Sequence, residues 1–433
     1  MSDVVLVGLL GIVLLIGLFF SRIAVAYALC IVGFLGYAYL TSLQSALTLV
    51  SRDIYSVFSS YGLALVPLFV FMGYIAYYAG VSRRLYDMAY KLAGRVRGGL
   101  AMATIAACSA FGAVCGSTTA TVATIGSIAL PEMQRYNYGP RLAAGAVAAG
   151  SGLGILMPPS VILIIYGILT QVSIGKLFLA GILPAFLIAL LFVFAIWLYC
   201  LKSPEQGEPG QRFPLRESLK ALLAIWETLL IFLLVMGGMF FGVFTPTKAG
   251  AVGSFLLLLI VLLQGKLKWT GFLQAVYDTL NVSCMVIMLV AGATIFGHFL
   301  ALSRISMELA NFVAGMDLPG WAVMFVICAI YLLAGCFIDA LALITLTIPI
   351  FYPVVMNLGY DPVWFGVIIV LITQMGIITP PVGVNAYIVK GIAPHISLED
   401  IFIGIVPFLL ALILGVGLLI LFPGVVTFLP NLN

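Results

Sequence analysis

Charged residues occupy only 8% of the 433 positions, roughly a third of the share found in a soluble domain. That scarcity excludes a water-soluble globular fold of this length. Histidine occurs twice, as His298 and His395, and no HExxH spacing exists. The seven cysteines (Cys30, Cys108, Cys115, Cys200, Cys284, Cys328 and Cys336) are scattered through apolar segments without a CxxC pair. Neither a metal site nor a disulfide framework is indicated, and reduced packing thiols are expected. His298 is expected to be a satisfied packing residue, with a proton role as the alternative. SGLGILMPPS at 151–160 lacks the Gly-Lys-Ser/Thr ending of a Walker A loop, so ATP drive within this chain is excluded. Alternating ten-residue strand patterns are missing, which removes a β-barrel. Only Met1, Ser2 and Asp3 precede the first apolar segment. With no basic leader it reads as a retained helix and not as a signal peptide.

What fills the chain is apolar: 64% of residues are hydrophobic and the mean hydropathy is +1.25. Runs approaching or exceeding the ~20 residues of a bilayer span recur at 4–20, 182–201, 222–243, 249–263 and 401–422. In hydrocarbon every backbone polar group must be satisfied internally, so these runs are helices and the fold class is an all-α polytopic membrane protein. The chain also repeats itself. A shift of 222 residues lays Pro131 on Pro353, Pro140 on Pro362, Gly154 on Gly376, and Pro158-Pro159 on Pro380-Pro381. A double proline with further prolines and glycines in one register marks two copies of one unit, 1–205 and 217–433, joined by a linker at 206–216.

Each copy carries two long helices, a third, and a short charged stretch (82–98 and 303–315). The first of these stretches mixes basic and apolar residues, as in a helix lying on the membrane surface. An apolar stretch of about 32 residues follows, at 99–130 and 320–351, with small or polar residues at its centre. It is too short for two crossings and reads as a re-entrant hairpin. Next comes a helix broken by a double proline, at about 138–171 and 361–392. Two consecutive prolines remove two donors and clash with the preceding turn. A last long helix closes the unit. Five crossings per copy is an odd number, so the copies have inverted topology. With the amino terminus outside, one face receives 15 of the 19 Lys and Arg; the other holds Arg52, Lys176, Lys248 and Arg304. The basic face is then cytoplasmic and both termini are external.

Irregular backbone at membrane depth is tolerated only beside a cavity, and interrupted helices at matching positions of two halves point to a transporter site. Half-helix C-termini offer carbonyls to Na⁺, and N-termini offer N–H groups to an anion. The first tip supplies Ser117, Thr118, Thr119 and Thr121; the first break supplies Ser151, Pro158, Pro159 and the carbonyls near Gly154. The second half supplies Asp339, Thr345, Thr373, Gly376, Thr379, Pro380, Pro381 and Asn385. The candidate Na⁺ set is Ser117, Thr119, Thr121, Gly154, Asp339, Thr345, Gly376 and Thr379, an oxygen-rich set suited to a hard cation. The candidate substrate set is Ser117, Thr118, Ser151, Pro158, Pro159, Thr373, Pro380, Pro381 and Asn385. Helix packing competes with ligation for each hydroxyl. Asp339 differs, because an intramembrane carboxylate is functional by default; a structural or pH-linked role is its alternative.

GSTTATVATIGSIALPEM, GSGLGILMPPS, FTPTKAGAVG and TPPVGVNAY resemble the large membrane subunit of the tripartite ATP-independent periplasmic (TRAP) transporters. The resemblance covers essentially the whole chain. It implies an elevator-type, Na⁺-coupled importer in a bacterial inner membrane, using two or more Na⁺ ions. Its implied partners are a periplasmic substrate-binding protein and a small four-helix membrane subunit, with no nucleic acid. No four-helix segment precedes Met1 or follows Asn433, so the small subunit is expected as a separate chain. The implied substrates are small organic anions, mostly carboxylates with some sulfonates. In FTPTKAG, Lys248 stands where the resemblance has an acidic residue.

Two other readings compete. A stand-alone Na⁺/dicarboxylate symporter shares the hairpins and breaks. An intramembrane aspartyl protease needs two facing aspartates, and Asp278 is expected near a helix start at the cytoplasmic face, away from Asp339. Orientation is checked by labelling in a background without the seven native cysteines. A cysteine in the 202–219 loop should react only once the cytoplasmic face is opened, and one beside Asp361 should react from outside. External labelling of the loop would overturn the topology.

Overall fold

The computed structural model describes residues 3–21, 23–211, 213–223, 225–314 and 319–432. The first half comprises α1 (Asp3–Phe20), α2 (Val25–Leu40), α3 (Leu43–Phe58), α4 (Leu65–Tyr78), α5 (Val81–Ala93), α6 (Gly99–Cys115), α7 (Thr118–Arg135), α8 (Pro140–Gly150), α9 (Val161–Thr170) and α10 (Ile174–Lys202). The second comprises α11 (Leu215–Leu223), α12 (Trp226–Phe240), α13 (Pro246–Leu263), α14 (Trp269–Leu302), α15 (Ile305–Ala314), α16 (Gly320–Gly335), α17 (Ala340–Asn357), α18 (Pro362–Ile378), α19 (Val384–Ile392), α20 (Leu398–Leu421) and α21 (Gly424–Asn431). Among the described residues there is no strand.

The expected hairpins are α6–α7 and α16–α17. At 1.5 Å per residue each of these helices is about 25 Å long, a little short of the ~30 Å hydrocarbon thickness. The expected breaks separate α8 from α9 and α18 from α19. The two are not alike. After α8 the chain tightens into a 3₁₀ stretch, Ser151–Ile155, and every residue from there to Ser160 is buried. After α18 the chain turns at Pro380 and Pro381, which are exposed. The halves differ in a second place. The third helix of the second half runs unbroken as α14, 34 residues long. Its counterpart is split into α3 and α4 by Ser59, Ser60 and a short 3₁₀ turn at Tyr61–Ala64. Serines, which bond their own backbone, and Gly62, which gains nothing from a helix, explain the split. The stretch expected at 303–315 forms α15, with residue 315 outside the described residues.

Two groups of helices pack side by side. In one, α14 lies along α2 and α4, and α13 along α4 and α12. In the other, α6, α7 and α8 pack together, α8 lies against α20, and α10 lies against α20. Leu190, Phe194, Trp197 and Leu201 along α10 are exposed, as are Leu410 and Leu414 on α20, the surface a hydrocarbon solvent requires. The linker is held down by backbone bonds, from Gly98 N–H to Gly207 O (2.9 Å), Gly139 N–H to Gln206 O (2.9 Å) and Gly210 N–H to Gly94 O (2.8 Å).

The few charges are used as ties. Buried Glu227 on α12 receives Arg84 of α5 at 2.7 Å and Lys266 at 3.1 Å. Arg141 of α8 meets Asp400 of α20 at 2.8 Å. His298 is not merely packed: its Nδ1 lies 2.7 Å from a carboxylate oxygen of buried Asp53 on α3. Sequence pattern alone gave no hint of that partner, 245 residues away.

Candidate functional site

The hairpin tips follow from local chemistry. Gly116 closes α6 with φ +62°, a backbone state open to glycine at little cost. The next residue, Ser117, caps α7: its hydroxyl accepts the Ala120 N–H at 3.4 Å. Asp339 takes the same role on α17, its carboxylate accepting the Leu341 N–H at 3.0 Å. A capping oxygen at a helix start satisfies one orphan N–H, and a carboxylate there is further favoured by the helix dipole.

Both tips open on one cavity of about 730 Å³. Ser117, Thr118 and Thr119 line it from one hairpin, and Asp339, Ala340 and Leu341 from the other. The remaining wall is built by α4, α14 and the start of α2. Gly73 of α4 makes this possible: a Cβ there would stand 2.8 Å from the Cα of Cys115, so α4 lies directly against the first tip. The lining tyrosines Tyr74, Tyr77 and Tyr78 escaped the sequence reading, and Asp278 was not expected on this wall. The tyrosines recur at helical spacing and the aspartate interrupts an apolar run, which were the available signals. Asp278 also corrects an expectation. It is not at a helix start away from Asp339 but ten residues into α14, on the wall of the same cavity. Its oxygens accept from the Tyr78 hydroxyl (2.6 Å) and the Gln274 amide (3.2 Å).

Of the first-half cation candidates, three converge. Thr121 donates to the Ser117 carbonyl at 2.6 Å, and a Cβ on Gly154 would stand 3.0 Å from that carbonyl and 3.0 Å from the Thr121 hydroxyl. The Cys115 thiol joins them, 3.2 Å from Thr121 Oγ1. Thr119 sits on the cavity side, its hydroxyl 3.1 Å from that of Ser117. The second-half candidates are more dispersed. Thr345 donates to Leu341 O (2.5 Å) and Thr379 to Met375 O (2.6 Å), each within its own helix. What does match is the approach of hairpin to break: a Cβ on Gly112 would stand 2.5 Å from Gly154 Cα, and one on Gly376 would stand 2.7 Å from Gly335 Cα.

The other substrate candidates lie behind the cavity. Ser151, Thr373 and Asn385 are fully buried. Asn385 joins the two breaks, its amide donating to Ser151 Oγ and to Ala148 O at 3.1 Å each. Gln374, also unforeseen, lays its side chain over Gly152. Thr373 Oγ1, both Gln374 amide atoms and Asn385 Oδ1 are buried without a protein partner among the described residues. Pro158 is buried, Pro159 faces the first tip through its carbonyl, and Pro380 and Pro381 are exposed away from the cavity.

Two hairpins whose tips share one cavity, packed against two interrupted helices in an all-helical apolar bundle, define a membrane transporter fold. Similarity to the Alcanivorax borkumensis YdaH transporter supports this: the TM-score is 0.67 at 16% identity, covering 89% of this chain and 90% of that one. Residues 12–425 match the family described as tripartite ATP-independent periplasmic transporter, DctM component. The chain is 34% identical to the C4-dicarboxylate TRAP transporter large permease protein DctM of Pseudomonas aeruginosa, over 86% of each. It is 32% identical to the sialic acid TRAP transporter large permease protein SiaM of Vibrio cholerae, over 96% of this chain and 97% of that one. The chain belongs to the DctM family and is a multi-pass inner-membrane permease.

The hairpin–break contact generates a stability prediction. Gly154→Val places branched methyls against the Ser117 carbonyl and Gly112, and overpacking of this kind costs about 1–3 kcal/mol. The thermal midpoint in detergent should fall. Gly417→Val, where a Cβ meets nothing within 4 Å, should leave it unchanged. Equal midpoints for the two variants would show that the hairpin does not bear on the break.

Proposed function

We propose that this chain is the large permease of an Na⁺-coupled importer of a small organic anion. A periplasmic substrate-binding protein delivers the substrate, and a separate small four-helix subunit completes the membrane part. The observation that carries the reading is that the two hairpin tips, from opposite halves of the sequence, share one cavity. A substrate there touches the N-terminus of α7, with Thr118 and Thr119, while cations sit where tips approach breaks: Ser117, Thr121 and Gly154 on one side, Asp339 with the Gly335–Gly376 contact on the other. The substrate-coordinating group and the cation ligands then belong to the same few residues, so each occupant orders the site for the next.

The halves are read as inverted copies, 1–205 and 217–433, with both termini periplasmic and the 15 basic residues of the richer face cytoplasmic. The hairpins, breaks and α20 form the moving body, and α2, α4, α12, α13 and α14 the body it slides against. An elevator motion carries the cavity across without dismantling either break.

Each charge crossing the membrane is worth about 2.3 kcal/mol per 100 mV, so two Na⁺ contribute roughly 4.6 kcal/mol. Inward movement of a monoanion takes back about 2.3 kcal/mol of that. Uptake is expected to be electrogenic, faster with the inside negative, and sigmoidal in Na⁺. Asp339→Asn keeps the size and removes the charge; it should raise the Na⁺ concentration for half-maximal uptake and flatten the sigmoid. Ser117→Ala should weaken uptake by less, because a neutral hydroxyl is one ligand among several carbonyls. An unchanged Na⁺ dependence in Asp339→Asn would remove Asp339 from the cation site.

A further inference from the structure

A groove on the exposed side of α10 is separate from the internal cavity and independent of what that cavity carries. It holds about 600 Å³, within the ~300–1,000 Å³ of small-molecule sites. One stripe of α10 builds its wall: Leu190, Val193, Phe194, Trp197 and Leu201 recur at helical spacing. The Phe194 and Trp197 rings are stacked, with centroids 5.7 Å apart and planes at 27°. From Leu190 to Leu201 the stripe rises about 17 Å at ~1.5 Å per residue. That is close to half of the ~30 Å hydrocarbon core, so the groove is one leaflet deep.

Arg97 lines the same groove at the end where α10 stops at Lys202 and the chain leaves for the polar linker. Backbone contacts fix its place. Gly98, at φ +73°, brings the turn so close to α10 that a Cβ would stand 2.7 Å from Ile196 Cγ2 and 2.9 Å from Cys200 Sγ. The Gly98 N–H is held by Gly207 O at 2.9 Å, and the Leu100 N–H by the Tyr138 hydroxyl at 3.1 Å. The Arg97 side chain is exposed and has no ion pair among the described residues, and the same holds for Arg95 and Lys202 beside it. Glu205 and Glu208 of the linker are exposed, pair with none of the three, and do not line the groove.

An arginine fork binds a phosphate through two parallel hydrogen bonds, and basic pockets beside membrane helices take anionic headgroups. A zwitterionic headgroup would bring its own ammonium against Arg95 and Lys202. A free phosphate would meet Arg97 and leave the apolar stripe unfilled. We propose that the groove binds one anionic phospholipid. Its phosphate lies on Arg97, and an acyl chain lies along the α10 stripe over Trp197 and Phe194.

The test is native mass spectrometry of the full chain in detergent, titrated with phosphatidylglycerol, phosphatidylethanolamine or phosphatidylcholine of identical acyl chains. One phosphatidylglycerol should bind about fivefold more tightly than either zwitterionic lipid, the worth of a cation beside an anionic headgroup. Arg97→Gln should weaken it about tenfold, as expected for a hydrogen bond to a charged group, and Arg97→Lys should weaken it less. Arg135→Gln, which removes a charge at the end of α7 beside Glu132, should leave the affinity unchanged. One equivalent of acyl-brominated phosphatidylglycerol should quench tryptophan fluorescence, and Trp197→Phe, which keeps an aromatic wall, should lose that quenching. Equal binding of the three lipids overturns the proposal, as does an unchanged affinity in Arg97→Gln or an equal loss in Arg135→Gln. Quenching that survives in Trp197→Phe would place the lipid elsewhere and overturn it as well. Displacement by excess inorganic phosphate would assign Arg97 to free phosphate, and displacement by the small membrane subunit would assign the groove to that protein; either result overturns the lipid site.

Discussion

A peptide group in hydrocarbon must find its hydrogen-bond partner inside the protein, and this requirement organises everything else in the molecule. A helix meets it everywhere except at its ends, and the hairpins and breaks of this chain multiply those ends. Each needs a local remedy. Gly116 turns the first hairpin; Ser117 and Asp339 cap the returning helices; the 3₁₀ stretch Ser151–Ile155 shortens the bonds of the first break; Asn385 ties the Ala148 carbonyl to Ser151 across the two halves. The remedies are polar, and they converge on one cavity and on the seam behind it. The site is the place where the backbone has been given up.

Glycine sets how closely these ends approach. Gly112 lies on Gly154, Gly335 on Gly376, and Gly73 on Cys115, each pair with backbone against backbone. Buried carboxylates act as ties: Glu227 fastens α12 to Arg84 of α5, and Asp53 fastens α3 to His298 of α14. Among the described residues no basic side chain lines the cavity.

Much of this was legible in the sequence. Prolines in one register located both breaks, and a polar residue amid small ones located both tips, because proline and buried charge have strong local consequences that no tertiary context removes. The cavity wall was harder. Tyr74, Tyr77 and Tyr78 in an apolar helix read as membrane packing until α4 is seen against the tip. Asp278 is assigned a depth by counting residues, and the count errs when a helix runs to 34 residues. Gln374 and the Asp53–His298 pair depend on partners hundreds of residues away, which periodicity does not encode. The unequal breaks, one buried and one exposed at Pro380 and Pro381, likewise arise from which helices happen to cover each copy.

The central claim is that an Na⁺ gradient drives import through this cavity as part of a tripartite assembly. The direct measurement is uptake of radiolabelled substrate into proteoliposomes under an imposed inward Na⁺ gradient. The chain should be assayed alone, and then with its small subunit and a loaded substrate-binding protein. The account predicts no uptake by the chain alone, uptake when all three are present, and loss of uptake when Na⁺ is replaced by K⁺. Equal uptake by the chain alone, or uptake indifferent to Na⁺, would contradict it.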